Sequence, residues 1–529
     1  MKVASSAEMQ AIDRITIEER GVPSSTLMEC AGLAALKVFR SRFPLEGKSV
    51  LILCGPGNNG GDGLVMARHL LKLPVKPVAV LTGLPEKLTG DALSQFTILR
   101  NLGVPPVSIT EESHLACLGE LISSADYIVD ALLGTGLKNP VRSLFASIIT
   151  RINESGKPVI AVDIPSGIDG TSGHVMGVAV RAALTITMGL PKLGLLLYPG
   201  ALYAGEVVVA DIGFPESLVE KPELMAEISE PEKLASWLPG RPGNAHKGSC
   251  GKVMIFAGSP GYTGAAALAC EACHRAGAGL VTLAVPESLH LLMEGKLTET
   301  ITRPYPDLHG ADEVEQALKI LLSLAGEADA VAVGPGIGRL PAVQDLTEKL
   351  ITGIGKPAVL DADALFPPII EGHGMALPVL TPHPGEMARL MGVPTEEITG
   401  NPLHYGRACA QKYRASTVLK GSHSLISDPE GHTSVNASGN SAMATAGMGD
   451  VLTGIIAGLL AQGMSPHRAA VLGAFIHGLA GDFAACHIGP RGLKASDLLG
   501  HIPEILGHLS CGSFDKLEPF KPVKKVTLW

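Results

Sequence analysis

The chain has 529 residues, of which 46% are hydrophobic and 4% aromatic, and its formal net charge is −9. This length exceeds what one hydrophobic core covers, so we expect at least two domains. The negative charge argues against a nucleic-acid partner, no apolar run is long enough to cross a bilayer, and the start lacks a signal-peptide core, so we expect a cytoplasmic protein with reduced cysteines.

Apolar strands alternate with helical patterns through the first half of the chain. This alternation predicts a mainly parallel sheet with helices on both faces, which is a doubly wound three-layer α/β domain. The predicted strands are Ser49–Cys54, Pro77–Leu81, Tyr127–Ala131, Val159–Asp163, Ala183–Met188 and Glu206–Asp211.

A loop rich in glycine and asparagine, residues 55–63, follows the first of these strands. Glycines allow backbone N–H groups to approach an anionic ligand, and the helix that follows points its positive end at the same place. The loop matches the Gly-x-Gly-x-x-Gly dinucleotide fingerprint, but the next strand ends in Thr82-Gly83 without the acidic residue that holds a ribose. We therefore predict a polar ligand site other than an ordinary NAD Rossmann site.

Two more polar clusters follow strands of the first half. Residues 134–137 come shortly after Asp130, and residues 163–167 follow the strand that begins at Val159. Ligands of parallel sheets bind beyond the carboxyl ends of the strands, so we expect these clusters to share one site with loop 55–63.

The second half begins a new α/β series. We predict a first domain over residues 1–220, a proline-rich linker over 221–244, a second doubly wound domain over 245–510 and a loose tail over 511–529. The predicted second-half strands begin at Lys252 and continue with Gly279–Val285, Ala330–Val333, Ala358–Leu360, Val379–Leu380 and Thr417–Leu419.

The sharpest motif of the second half is Ala-Gly-Met-Gly-Asp, residues 446–450, which leads into an apolar helix. Glycines at a helix start expose N–H groups to an anion, and Asp450 there could take a proton from a hydroxyl that attacks a phosphate. This context resembles the ribokinase-like fold. The alternative from the motif alone is a glycine-rich turn between two buried helices.

Other polar loops follow strands of the same domain. Residues 333–338 form a second glycine-rich loop, and residues 420–424 offer lysine, backbone and hydroxyl donors to a nucleotide. His383, between two prolines at a strand end, is a candidate functional residue. The Asp361–Asp363 pair could orient a magnesium-bound nucleotide or cap the next helix, and the sequence favours neither.

In this order, the motifs closely resemble the bifunctional NAD(P)H-hydrate repair enzymes over roughly residues 5 to 510. The first half carries Gly-Pro-Gly-Asn-Asn-Gly-Gly-Asp-Gly, Asp-Ala-Leu-Leu-Gly-Thr-Gly-Leu, Val-Asp-Ile-Pro-Ser-Gly and Pro191-Lys192. The second carries Lys-Gly-Ser, Gly-Ser-x-x-Tyr-Thr-Gly-Ala, Val-Gly-Pro-Gly, His-Pro-Gly-Glu, Lys-Gly and Gly-Met-Gly-Asp. Phe366 departs from the family pattern, in which a polar residue is more usual, so the Asp361–Asp363 loop stays outside the predicted site.

The resemblance implies roles for individual residues. Asp163 would be the acid/base of an epimerase, and Asp450 the base of a dehydratase. The epimerase substrate would contact Asn58, Asn59, Gly60, Gly61, Asp62, Gly134, Thr135, Gly136, Leu137, Lys138, Asn139, Pro140 and Asp163, and a potassium ion would bind Asn59, Asp130 and Ser166. The dehydratase substrate would contact Ala265, Gly336, His383 and Asp450, and the nucleotide Lys420, Gly421, Ser422, His423, Ser424 and Gly449.

The implied activity is repair of hydrated NADH and NADPH. The first, Rossmann-like domain would interconvert the R and S epimers (an isomerase), and the second, ribokinase-like domain would dehydrate the S epimer with ADP or ATP and Mg²⁺ (a lyase). The alternative is a ribokinase-like small-molecule kinase with a non-catalytic N-terminal binding domain. We expect a homo-oligomer, with a tetramer as the working hypothesis. The sequence leaves open the choice of ADP or ATP, the preferred cofactor form and the identity of the monovalent ion.

Overall fold

The computed structural model describes residues 1–366, 377–521 and 523–526. These residues form two compact units. The first unit contains Lys2–Met225 together with residues 523–526, and the second contains residues 226–521. Each unit has its own sheet and its own hydrophobic core, so each is described separately.

The strands are numbered in chain order. Those up to residue 225 are β1 (Lys2–Val3), β2 (Ser49–Cys54), β3 (Lys76–Leu81), β4 (Val107–Ser108), β5 (Tyr127–Ala131), β6 (Val159–Val162), β7 (Leu184–Met188) and β8 (Glu206–Ala210). The later strands are β9 (Ala226–Ile228), β10 (Lys252–Phe256), β11 (Leu280–Pro286), β12 (Ile301–Tyr305), β13 (Ala330–Val333), β14 (Ala358–Leu360), β15 (Val379–Leu380), β16 (Ser416–Leu419), β17 (Ser424–Ser427), β18 (Thr433–Asn436) and β19 (Val523–Val526).

The sheet of the first unit is parallel, with the order β19-β8-β7-β6-β5-β2-β3-β4. Strand β2 lies between β3 and β5, so the chain leaves β2 in one direction and returns on its other side. In register, Leu53 pairs with Asp130 and Cys54 with Ala131, so β2 and β5 end together. Ligands of open α/β sheets bind at such a reversal of strand order, because the loops diverge there and leave a crevice.

Helices cover both faces of this sheet. One face packs against Ser24–Arg42, Asn58–Leu70 and Gly90–Asn101 and the other against Leu115–Ser124 and Ser143–Glu154, while Ser6–Glu18 belongs to a smaller cluster. Ile52 contributes to the first of these cores and Leu53 to the second, as the two-residue period of a strand requires. The predicted three-layer α/β arrangement of the first half is confirmed.

The second unit contains a mixed sheet with the order β9-β18-β17-β16-β15-β14-β13-β10-β11-β12. The strands from β16 to β12 are parallel to one another, whereas β17 is antiparallel to both of its neighbours. Strand β10 lies between β13 and β11, so this unit also has a reversal of strand order. The carboxyl ends of β10 and β13 therefore bound a second crevice.

One face of this sheet carries a large apolar core with four helices, Thr263–Arg275, Met448–Ala461, Pro466–Ile488 and His501–Cys511. Helices Ala311–Glu327 and Pro341–Gly353 pack against each other, and the described part of this unit also contains helices Pro384–Met391 and Pro402–Tyr413. Within the described chain, Pro466–Ile488 is the one helix long and apolar enough to cross a membrane. It belongs to this core, and 78% of its most apolar window is buried inside the protein.

Two boundaries differ from those predicted. Strand β9 lies within the predicted linker, residues 221–244, yet it pairs with β18, so residues from 226 onward belong to the second unit. The predicted loose tail, residues 511–529, contains β19, which pairs in parallel with β8 of the first sheet. Val523 is buried there, and the Nζ of Lys524 binds a carboxylate oxygen of Glu206 at 3.1 Å. This strand has only four residues, with two adjacent lysines at its centre and no local partner, so sequence periodicity alone did not reveal it.

Candidate functional sites

The chain turns sharply after β2 because Gly55 and Gly60 lie directly against backbone carbonyl groups. A Cβ atom on Gly55 would lie 1.8 Å from the carbonyl oxygen of Leu132, and one on Gly60 would lie 1.9 Å from that of Gly55. Gly57, where a Cβ would meet nothing within 4 Å, precedes helix Asn58–Leu70. The first helical turn therefore points its free N–H groups toward the crevice at the end of β2.

We expect Gly60→Ala to destabilise the first unit by about 1–3 kcal/mol, because the added methyl group must displace backbone. Thermal unfolding and epimerisation assays would measure the loss. Gly57→Ala is the matched control and should change stability by less than about 0.5 kcal/mol. Equal melting temperatures of the two variants would contradict the tight packing at Gly60.

A cavity of about 840 Å³ opens at this crevice. Its wall comes from helices Ser6–Glu18, Ser24–Arg42, Asn58–Leu70 and Gly90–Asn101, from the loops after β2, β5 and β6, and from the segments after β7 and β8. Of the residues predicted to bind the epimerase substrate, those on the wall are Asn58, Asn59, Asp62, Gly134, Thr135, Gly136, Leu137, Lys138, Asn139 and Asp163. Gly60, Gly61 and Pro140 are not on the wall; Gly61 instead faces Met28 closely.

Asp163 directly follows β6 in the left-handed backbone region, with φ of 66°. Its Oδ1 accepts hydrogen bonds from the Nζ of Lys192 at 2.5 Å and from the backbone N–H of Met188 at 3.2 Å. Lys192 is 1% exposed, and its Nζ also donates to the hydroxyl of Thr187 and the carbonyl of Met188. A non-glycine residue in this backbone region is uncommon, and such strain concentrates at functional sites.

Sequence reasoning assigned no role to Lys192 and did not single out Asp13. Both lie on the cavity wall with Asp163. Asp13 comes from helix Ser6–Glu18, about 150 residues before Asp163, so no local spacing joins them. A lysine close after the buried strand β7 was the available signal for Lys192, because a buried lysine requires a charged or hydrogen-bonding partner.

The three predicted potassium ligands converge on one buried position. Asp130 is fully buried; its Oδ1 accepts from the hydroxyl of Ser166 at 2.6 Å and its Oδ2 from the backbone N–H of Ser166 at 2.8 Å. Burial raises the pKa of Asp130 to about 6, although these hydrogen bonds oppose the shift. The Nδ2 of Asn59 donates to the carbonyl of Leu133, which also accepts from Ser166. The Oδ1 of Asn59 is buried and has no hydrogen-bond partner.

In the second unit, Gly447 precedes helix Met448–Ala461 in the left-handed region, with φ of 92°. A Cβ atom on Gly447 would lie 2.7 Å from the side chain of Leu268, so both the backbone conformation and the packing require glycine here. Asp450 lies in the first helical turn. The free N–H groups of this turn form an anion-binding position beside the Asp450 carboxylate.

Asp361 is the centre of a buried network beside this helix start. This residue is only 1% exposed. Its Oδ1 accepts hydrogen bonds from the Nζ of Lys420 and the hydroxyl of Thr381, both at 2.8 Å. Its Oδ2 accepts a hydrogen bond from the hydroxyl of Thr453 at 2.9 Å. The Nζ of Lys420 lies 3.3 Å from the position of a Cβ on Gly449. The network therefore fixes a lysine ammonium at the helix start.

For Asp361 the structure contradicts the capping role, because its side chain makes no cap hydrogen bond to the short helical turn at residues 362–364. Both of its oxygens accept hydrogen bonds from protein groups, and its role toward a magnesium-bound nucleotide stays a prediction. Asp363 points elsewhere: it accepts from the backbone N–H of Gly338 at 3.1 Å and from the Nε of Arg339 at 2.7 Å. It therefore holds loop 334–338 in place.

The pKa of Asp450 is raised to about 7, first by burial and then by the Asp361 carboxylate, while Lys420 opposes the shift. The role that the resemblance implies for Asp450, the base of a dehydratase, requires its ionised form, so we expect that dehydration to accelerate as pH rises through about 7. Asp361→Asn removes one cause of the raised pKa. We therefore expect the midpoint of the pH–rate curve to move to lower pH, measured with saturating nucleotide and S epimer.

Asp363→Asn is the matched control for this prediction, because it removes a neighbouring carboxylate that is not among the causes of the Asp450 shift. Its midpoint should equal that of the parent. An Asp361→Asn midpoint that stays in place or moves to higher pH would contradict the coupling between the two aspartates.

Ala265 and Gly336 meet at the crevice between β10 and β13. A Cβ on Gly336, whose φ is 61°, would lie 3.2 Å from the Cβ of Ala265 and 2.7 Å from that of Tyr262. The hydroxyl of Ser259 donates to the carbonyl of Gly336 at 2.8 Å. The structure therefore brings these two predicted substrate-binding residues together.

His383 begins helix Pro384–Met391 and caps it. Its Nδ1 accepts from the backbone N–H groups of Gly385 at 3.0 Å and Glu386 at 3.4 Å, which leaves the Nε2 atom to carry the proton of the neutral ring. Burial lowers the pKa of His383, although Glu386 opposes the shift. The imidazole is thus neutral near pH 7, and its side chain remains half exposed.

The predicted nucleotide loop connects β16 to β17. Gly421 and Ser422 are exposed, His423 and Ser424 are partly buried, and Ser424 is the first residue of β17 rather than a loop residue. The Oγ of Ser424 accepts weakly from the N–H of Gly421 at 3.4 Å. The loop is therefore a tight turn whose polar groups are largely open to a ligand.

Two family profiles and several proteins match this chain. The family described as NAD(P)H-hydrate dehydratase matches residues 253–504, and the family described as YjeF-related protein N-terminus matches residues 24–194. The bifunctional NAD(P)H-hydrate repair enzyme of Moorella thermoacetica is 42% identical over 517 residues, covering 96% of this chain and 97% of that protein. That of Escherichia coli is 34% identical over 502 residues, covering 93% and 92%. The solved ADP/ATP-dependent NAD(P)H-hydrate dehydratase of Bacillus subtilis, co-crystallised with ATP and Mg²⁺, is 29% identical with a TM-score of 0.48, covering 53% of this chain and 98% of that chain.

Proposed function

The chain belongs to the family of bifunctional NAD(P)H-hydrate repair enzymes, as its motifs predicted, and from this we propose how its two units divide the repair. The first unit interconverts the R and S epimers of hydrated NADH or NADPH. The second unit dehydrates the S epimer with ADP or ATP as phosphoryl donor. The enzyme thereby returns both epimers to NADH or NADPH and releases phosphate and AMP or ADP.

The observation that carries the dehydratase assignment is the position of Asp450 in the first turn of helix Met448–Ala461. Hydroxide is a poor leaving group, so the C6 hydroxyl of the hydrated ring must first be phosphorylated. Asp450 takes the proton of that hydroxyl as its oxygen attacks the terminal phosphorus of the nucleotide. The helix N–H groups and the Lys420 ammonium, which lies beside Gly449, stabilise the charge on the transferred group. Phosphate then leaves C6 with the bonding pair, and loss of a proton from C5 to solvent forms the ring double bond.

The substrate of the second unit fits between the Ala265–Gly336 contact and the helix start. Gly336 lacks a side chain where one would collide with Tyr262, and this keeps the crevice open. The neutral Nε2–H of His383 can donate a hydrogen bond to substrate without adding charge. The turn at residues 421–424 offers the nucleotide backbone N–H groups and the hydroxyl of Ser422.

In the first unit, Asp163 is the acid/base at the epimerised carbon. Lys192 holds its Oδ1 at 2.5 Å, which fixes the carboxylate and leaves Oδ2 for the substrate. Asn58, Asn59 and the turn at residues 134–139 bind the polar parts of the hydrated cofactor. This assignment is supported by the position of these residues on the wall of one cavity.

The residues of the first unit fit a potassium ion. The buried Oδ1 of Asn59 has no partner. The Nδ2 of Asn59 and the hydroxyl of Ser166 both lie within hydrogen-bond distance of the Leu133 carbonyl, and that hydroxyl also contacts Oδ1 of Asp130. Neutral and carboxylate oxygens suit a hard cation. A bound potassium ion would supply positive charge that holds residues 58–59, at the start of helix Asn58–Leu70, and residues 130–133 together beside the substrate.

Magnesium fits the second unit only as a partner of the nucleotide. Within the described residues no cluster of three histidine, cysteine or acidic side chains could hold a metal, and both oxygens of Asp361 are occupied by protein donors. Mg²⁺ is commonly held by substrate phosphates and water. It would neutralise phosphate charge during transfer.

We place the enzyme in the cytoplasm, since all nine cysteines are free thiols and such thiols persist in a reducing compartment. Its partners are the hydrated cofactors and the nucleotide. A homo-oligomer, with a tetramer as the first hypothesis, would be tested by light scattering of the purified protein.

One assay tests the proposed function. The purified protein is mixed with hydrated NADH and either ADP or ATP, and absorbance at about 340 nm is followed together with free phosphate. We expect absorbance to return in step with phosphate release. A stable phosphorylated product without NADH would instead indicate a small-molecule kinase and would overturn the dehydratase assignment.

A further inference from the structure

The wall of the first unit's cavity contains carboxyl groups to which the proposed epimerase mechanism assigns no role. Asp13, Asp62 and Asp163 all lie on this wall, together with one buried ammonium, that of Lys192. The ammonium of Lys192 forms an ion pair with the carboxylate of Asp163. Like charges repel in a partly buried space, so three carboxyl groups around one buried ammonium favour a proton on one of the carboxyl groups.

Asp62 is the carboxyl group best placed to stay protonated and reach a ligand. It lies in the second turn of helix Asn58–Leu70, and among the described residues no group donates a hydrogen bond to it or forms an ion pair with it. The pKa of Asp62 is raised well above its ordinary value, first by burial and then by Asp163 and Asp13, while Lys192 opposes the shift. Asp163, by contrast, has an ammonium and a backbone N–H on its Oδ1.

The two carboxyl groups come from different elements of the fold. Asp163 directly follows β6, whereas Asp62 lies in the second turn of the helix that follows β2, and β5 lies between those two strands. Both side chains lie on the wall of the same cavity. An acid and a base held by different elements can act on opposite faces of one ring, as in inverting glycosidases.

We propose that Asp62 is the general acid of epimerisation, acting on the face of the ring opposite Asp163; this rests on the proposed epimerase function. Asp62 donates its proton to the C6 hydroxyl, the C6–O bond breaks, and water leaves with the bonding pair. The lone pair of the ring nitrogen forms an iminium bond to C6. A water molecule then adds to the other face, Asp163 accepts its proton, and solvent exchange returns one proton to Asp62. Atoms and charge balance, and the reverse reaction exchanges the two roles.

The test uses the full-length protein and each purified epimer of hydrated NADH, without nucleotide, with epimer ratios measured by chromatography. We expect Asp62→Asn to lower kcat for epimerisation about 10²-fold, with KM within about threefold. Asp62→Glu should recover part of the loss, because it restores an acidic proton. Dehydration of the S epimer with ADP or ATP should equal that of the parent and so report that the variant is folded.

The matched control is Asp91→Asn, which changes another aspartate of the same cavity wall on helix Gly90–Asn101 and should keep kcat within about threefold of the parent. The pH dependence adds a second readout. The parent should lose activity at high pH as Asp62 ionises, and Asp62→Asn should lack that decline. The other titratable groups around Asp62 are Asp13, Asp91, Asp163, Lys138, Lys192 and the Cys54 thiol.

The possible outcomes distinguish a failure of this proposal from a failure of the epimerase function on which it rests. If the parent fails to epimerise faster than the spontaneous rate, the epimerase function itself is wrong. If the parent epimerises and Asp62→Asn does so at a comparable rate, or if Asp62→Asn keeps the decline at high pH, Asp62 is not the acid.

Discussion

Replacing Asp450 by asparagine should lower the rate of S-epimer dehydration about 10²–10⁴-fold, while nucleotide binding and epimerisation continue. The carboxylate accepts the hydroxyl proton during phosphoryl transfer, and an amide cannot. The first turn of helix Met448–Ala461 should stay intact, because no hydrogen bond from the Asp450 side chain holds it. The measurement is the recovery of NADH absorbance from purified S epimer at saturating ADP or ATP.

Calorimetric titration with nucleotide controls for loss of binding, and the epimer ratio controls for the first unit. The pH dependence supplies a further check, because the rise in rate near pH 7 belongs to Asp450 and should disappear with it. A variant that dehydrates within a factor of two of the parent would remove Asp450 from the mechanism.

Replacing Asp163 should stop catalysed epimerisation, with a loss of about 10²–10⁴-fold, and leave dehydration of the S epimer unchanged. On a mixture of epimers with nucleotide, the parent should restore all NADH in one phase. Asp163→Asn should show a first phase that consumes the S epimer and a slow second phase at the spontaneous rate of epimerisation. The two-phase time course distinguishes a lost epimerase from a general loss of activity.

The variant needs its own structural control, because Asp163→Asn leaves the buried Lys192 ammonium without a carboxylate. Removing one partner of a buried pair typically costs about 3–5 kcal/mol. The double variant Asp163→Asn/Lys192→Met removes both charges and should regain stability without regaining epimerisation. If either variant processes the mixture in one phase at the rate of the parent, Asp163 is structural.

The sequence predicted the strands that position both sites. β2, β5, β13, β14 and β15 have the bounds expected from their apolar runs, since strands buried on both faces read as continuous hydrophobic segments. The glycine-rich loops fall at strand ends because only glycine tolerates the backbone approach at Gly55 and the left-handed turn at Gly447. These features are local, so a single sequence is enough to reveal them.

The contacts that set the electrostatics of each site were not predictable in this way. Lys420 approaches Asp361 from a strand 59 residues later, and Asp13 reaches the first cavity from the opening helix. Lys420 was predicted to bind a nucleotide, and the structure adds a contact that the sequence did not indicate: its Nζ binds the buried Asp361 carboxylate beside Gly449. Such pairings depend on which strand ends become neighbours, and the order of strands in a sheet is not encoded by periodicity.

Strand β19 imposes an order on biosynthesis. The edge of the first sheet at β8 receives its last partner from residues 523–526, so the ribosome must translate residues 211–522 before that sheet can close. At about 5–20 residues per second, this delay is about 15–60 s, during which β8 presents an unpaired edge. The nascent epimerase unit is therefore the part of the enzyme that we expect chaperones to protect, and a stop codon just before Val523 would leave that edge open permanently.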